Sequence, residues 1–77
     1  MNKKDRKRVS DMLEQIEGFA TELEEMGEAE QEKYDNLPEG LQDSEQGENI
    51  QQAADYLQDA ASELNDWIDN TRTNLEV

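Results

Sequence analysis

Two apolar stripes, each repeating at alternating intervals of three and four residues and parted by a single proline, constrain this chain more than any other feature. The first runs Val9, Met12, Ile16, Phe19, Leu23, Met26 and the second Ile50, Ala53, Leu57, Ala60, Leu64, Trp67, Thr71. That spacing brings one residue per turn to the same side of an α-helix, at the a and d positions of a heptad. Leu13 and Ala20 widen the first stripe at position e, as Ala54, Ala61 and Ile68 widen the second, which suits burial in a bundle better than a bare two-stranded seam. Strand alternation is absent, so the expected class is all-α: an antiparallel hairpin of two long amphipathic helices that dimerises into a four-helix bundle or coiled coil.

The break between the stripes is Asn36-Leu-Pro-Glu-Gly-Leu-Gln-Asp-Ser44. Pro38 disfavours helical geometry at Leu37, so the first helix should end near Asp35 or Asn36. Asp43 or Ser44 can cap the second, Asp43 with Gln46 three residues on in a capping-box spacing, and Glu45 and Glu48 suit the dipole of its first turn. The expected organisation is one domain: a basic N-terminal arm at 1–8, an acidic amphipathic helix at 9–36, a connector at 37–43 and a second amphipathic helix at 44–73. Gly18 and Gly27 fall inside the first helix, where each costs about 1 kcal/mol relative to Ala, marking weak or closely approached turns.

How the two helices face each other can also be read from side-chain size. Position d carries Met12, Phe19 and Met26 on the first helix but Ala53 and Ala60 on the second, so large residues are expected to face small ones. Leu13, Tyr56, Trp67 and Ile68 are then left as an exposed apolar patch, and a second copy covering it would make a symmetric homodimer. The expected core and oligomer contacts are Val9, Met12, Leu13, Ile16, Phe19, Leu23, Met26, Ile50, Leu57, Leu64, Trp67 and Ile68.

Charge decides which partners are plausible. Among 77 residues there are 21 acids against seven bases, for a formal net charge of −14. Five of the bases (Lys3, Lys4, Arg6, Lys7, Arg8) lie in the first eight positions, leaving Lys33 and Arg72 against twenty acids from Val9 onward. Such a body repels DNA and anionic membranes. The basic segment is expected to lie against the acidic end of the second helix, with Lys4, Lys7 and Arg8 near Asp66, Asp69 and Glu76. No stretch approaches the roughly 18 apolar residues of a membrane span, and the acids that follow the basic start argue against a signal peptide. A cytoplasmic location is expected.

The chain contains no His and no Cys, which removes imidazole bases, thiolate nucleophiles and the usual zinc ligand sets. EF-hand registers counted from Asp35 or Asp43 put Leu37 at the third ligand position, or Glu48 where Gly is required and Ala54 where the bidentate Glu belongs. Neither register gives a calcium loop. Gly40 and Gly47 belong to no phosphate-binding pattern. No catalytic residue, metal site or cofactor is expected.

The segment Glu32-Lys-Tyr-Asp-Asn-Leu-Pro-Glu-Gly-Leu-Gln-Asp-Ser-Glu-Gln-Gly-Glu48 resembles a group of small acidic helical proteins, mostly without assigned function, encoded by bacteriophages and prophages. The resemblance implies a phage-encoded accessory protein of the bacterial cytoplasm, including one that blocks a host defence.

Two functions compete. Carboxylates at i, i+3 and i+4 stand about 5–6 Å apart on a helix and can present a nucleic-acid-like row to a basic groove on a host nucleic-acid-binding or defence protein. The candidates are Glu14, Glu17, Glu22, Glu24, Glu25, Glu28 and Glu32 with Asp55, Asp59, Asp66 and Asp69. The alternative is an adaptor whose apolar stripe docks on a partner helix, the acids serving only as a solvated coat.

Overall fold

A computed structural model describes all residues, 1–77, and contains two α-helices and no strand: α1, Lys3–Asp35, and α2, Glu45–Leu75. They fold back on one another as an antiparallel hairpin measuring 58 × 16 × 12 Å between Cα extremes.

The helix limits follow from their caps. Asn2 is in extended geometry and its Oδ1 accepts the Asp5 N–H at 2.7 Å, so α1 begins six residues before Val9. The basic segment expected as an arm is therefore the first turns of the helix. At the other end Asn36 caps α1 immediately before Leu37-Pro38. Ser44, and not Asp43, caps α2: its hydroxyl accepts the Gly47 N–H at 3.2 Å and donates to the Leu41 carbonyl. Gly40 takes φ +91° in the turn between them, a conformation that costs glycine little because it has no Cβ. Gln42 ties the connector to α1 by donating to the Tyr34 carbonyl at 3.2 Å.

The face expected to join the helices is not the one that does. The buried residues are Leu13, Ala20 and Gly27 on α1 with Gly47, Ala54, Ala61 and Ile68 on α2, every one seven residues from the next along its helix. These occupy the e row, one position round from d. Met12, Phe19 and Met26, expected to pack against Ala53 and Ala60, are exposed, Phe19 by 60%. Size explains the choice. The e row offers Ala20, Gly27, Ala54 and Ala61, so the backbones approach closely, whereas a d-row contact would hold them apart on Phe19 and two methionines.

The register is set by two contacts near the connector. A Cβ built on Gly27 would lie 3.3 Å from the Ala54 carbonyl oxygen. One turn on, the Gln31 and Gln51 amides bond reciprocally at 3.3 and 2.9 Å. Because both helices rise equally per residue, stepping back by sevens brings Ala20 level with Ala61 and Leu13 level with Ile68. Small residues thus fill the middle, and the largest pair ends the buried row on the side away from the connector.

The expected exposed patch changes accordingly. Leu13 and Ile68 are the plug of the core, exposed by only 2% and 1%. Tyr56 lies away from the core, beside Ala60 at the outer edge of the stripe, and is 77% exposed. Trp67 does remain at the surface, half exposed.

Candidate functional site

An antiparallel pair that meets through its e rows has two flanks, and the heptad places equivalent rows of the two helices on the same flank. On one flank lie Val9, Met12, Ile16, Phe19, Leu23 and Met26 of α1 with Ile50, Ala53, Leu57, Ala60, Leu64 and Trp67 of α2. None of the twelve is charged. Val9, Ile16, Leu23, Ile50, Leu57 and Leu64 are half-buried in the angle between the helices, while Met12, Phe19, Met26 and Trp67 stand outside them, exposed. Of the predicted core residues, only Leu13 and Ile68 lie in the hairpin's own buried row; the other ten form this apolar flank.

The opposite flank is polar. Beside the buried row stand Glu17, Glu24 and Gln31 facing Gln51, Gln58, Asn65 and Arg72, with Glu14, Glu28, Asp55 and Asp69 next outward. Arg72 and Glu17 pair across the helices at 2.8 Å, the one salt bridge that joins α1 to α2. Gln51 donates to Asp55 at 2.9 Å and Gln31 to Asp35 at 3.1 Å. A shallow groove toward the middle of this flank is lined by Glu24, Glu28, Gln58, Ala61, Ser62, Asn65 and Asp66.

All eleven predicted acidic candidates are exposed. The helical turn puts Glu14, Glu17, Glu24, Glu25, Glu28 and Glu32 on the polar half of α1, and Asp55, Asp59, Asp66 and Asp69 on the polar half of α2. The structure brings Glu24, Glu28 and Asp66 to one groove, engages Glu17 with Arg72 and Asp55 with Gln51, and turns Glu22 alone toward the back of the apolar half.

The expected contact between the basic start and the end of α2 is not made. Lys7 pairs with Asp11 on its own helix at 3.2 Å, and no ion pair links Lys4, Lys7 or Arg8 to Asp66, Asp69 or Glu76. These three bases occupy outward positions of α1, whereas Arg72 sits beside the inter-helix contact and reaches across it. Reading charge along the chain could not separate these cases; the rotation of α1 about its axis does.

No group of three or more acidic side chains comes close enough to hold a metal ion, and no helix is long and apolar enough to cross a membrane. Comparison of the chain with protein-family profiles, with curated protein sequences and with solved structures gave no match.

Proposed function

We propose that this protein is a non-enzymatic binding protein that engages a basic, nucleic-acid-binding groove on a partner through the carboxylates of its polar half, acting as a nucleic-acid mimic. The observation that carries this reading is segregation. Ten of the eleven candidate carboxylates share the half of the hairpin opposite an uncharged flank, with Glu24, Glu28 and Asp66 converging on one groove. Two rows of negative charge on a rigid rod match the field that a duplex offers to Lys and Arg. The resemblance carried by Glu32–Glu48 supplies the setting we propose: a phage-encoded inhibitor in the bacterial cytoplasm, directed at a host nucleic-acid-binding or defence protein.

The test is capture from host lysate at low salt, followed by elution with duplex DNA. Mimicry requires that the retained protein bind DNA and be displaced by it, and that Glu24→Lys, Glu28→Lys and Asp66→Lys together abolish retention. Retention unchanged by the triple reversal overturns the reading.

A second reading rests on Phe19 and Trp67, which stand exposed on the apolar flank. There the protein is an adaptor docking a partner helix, and Leu57→Gln with Leu64→Gln, not the charge reversal, abolishes binding.

A further inference from the structure

The apolar flank has no cover within the hairpin. Its outer row on α1 reads Asp5, Met12, Phe19, Met26, Lys33, one residue in every seven. About Phe19 this row is symmetric in size, Met12 answering Met26, and opposite in charge, Asp5 answering Lys33. Phe19 is also the midpoint of α1 and Ala60 the midpoint of α2, and the hairpin register holds the two at nearly the same height.

We propose that a second copy of this chain covers the flank, hairpin against hairpin, with the connectors at opposite ends and α1 lying along α1 of the second copy. A two-fold axis crossing the rod at the height of Phe19 and Ala60 generates this arrangement and overlaps the helices along their full length. Met12 then meets Met26 of the second copy, Phe19 meets its own equivalent, and Asp5 closes on Lys33 of the second copy at both ends. On the α2 side Trp67 comes over Ala53 of the second copy, a large residue on a small one.

Charge favours this orientation over the one with connectors together. Residues 22–59 hold thirteen acids and one base, while the first eight residues hold five bases and one acid. Opposed hairpins set each basic helix start beside the acidic connector half of the other copy. Hairpins docked connector to connector would stack the two acidic halves and leave Asp5 and Lys33 facing neutral Asn74 and Gln46.

Area supports a dimer as well. The uncharged strip runs for about 18 residues of each helix, roughly 27 Å, across two helices of about 10 Å each, or about 500 Å² from each copy. A pair therefore buries on the order of 1,000 Å², where specific interfaces begin. This inference stands apart from what the polar half binds.

The test combines sedimentation velocity with an inter-copy distance. The chain has no cysteine, so Glu39→Cys in the connector accepts a single spin label. The expected result is a dimer whose two labels stand apart by a distance close to the 58 Å length of the rod. A short separation overturns the orientation; a monomer throughout the micromolar range, or an assembly larger than two, overturns the proposal. Charge exchange gives an independent reading from exposed positions. Lys33→Asp should weaken the dimer several-fold, and adding Asp5→Lys should restore it; failure of that rescue, in variants that keep wild-type helicity by circular dichroism, also counts against the pairing.

Discussion

Gly27 on α1 rests against the backbone of α2 at Ala54: a Cβ on Gly27 would stand 3.3 Å from the Ala54 carbonyl oxygen, 3.2 Å from the Gln58 nitrogen and 2.9 Å from Gln58 Cγ. Gly18, nine residues earlier, has nothing within 4 Å of the same position. The two glycines therefore respond differently to replacement. Gly18→Ala should stabilise the protein by about 1 kcal/mol through helix propensity alone. Gly27→Ala should gain less than Gly18→Ala, because the helices must part slightly, and Gly27→Leu should cost about 1–3 kcal/mol by overpacking. Urea unfolding of the three variants checks the order.

Core truncation should follow the buried row and not the apolar stripe. Ile68 is 1% exposed and is the last fully buried residue of its row toward the open end of the hairpin, so Ile68→Ala should cost about 2–4 kcal/mol. Tyr56 is as large but 77% exposed, so Tyr56→Ala should stay within about 0.5 kcal/mol. Equal losses in thermal unfolding would place the helices in a different rotation.

The start of α2 rests on one hydroxyl. Ser44→Ala removes the acceptor for the Gly47 N–H and should cost about 1 kcal/mol. Asp43→Ala, one residue away and making no cap contact, should leave the unfolding midpoint nearly unchanged. Gly47→Ala should be worse than either, because a Cβ there runs into the carbonyl oxygens of Leu41 and Gln42.

Salt should act in opposite directions on the two flanks. Binding of a basic partner by the polar half should weaken steeply between about 50 and 200 mM salt, since each contact is charge to charge. Self-association through the apolar flank brings together two chains of net charge −14 and should strengthen over the same range. Sedimentation and partner capture across one salt series measure both, and the same trend in the two would mean that a single flank does both tasks.

Much of this fold is written in the order of residues. Alternation by threes and fours makes both segments helical, Leu37-Pro38 ends the first, and Ser44 is suited to begin the second. The chain order of bases and acids makes one end basic and the rest acidic. Even the two-sidedness is implicit, since a heptad that keeps Val9 to Met26 free of charge must put Glu14, Glu17, Glu24 and Glu28 elsewhere.

Tertiary packing decided which row closes the hairpin, and with it the meaning of every surface. Periodicity says that d and e both lie near the apolar side of a helix, and cannot choose between neighbouring rows a seventh of a turn-pair apart. The choice turns on how near two backbones can come, a property of Ala20 with Ala61 and of Gly27 with Ala54 that belongs to neither helix alone. Once those small residues meet, Leu13 and Ile68 are committed to the core, Arg72 reaches Glu17 while Lys7 pairs with Asp11 on its own helix, and Phe19 and Trp67 are left outside. Local sequence determined the helices and their caps because those depend on residues three or four apart; the flank open to a partner emerged only from contacts between residues twenty or more positions apart.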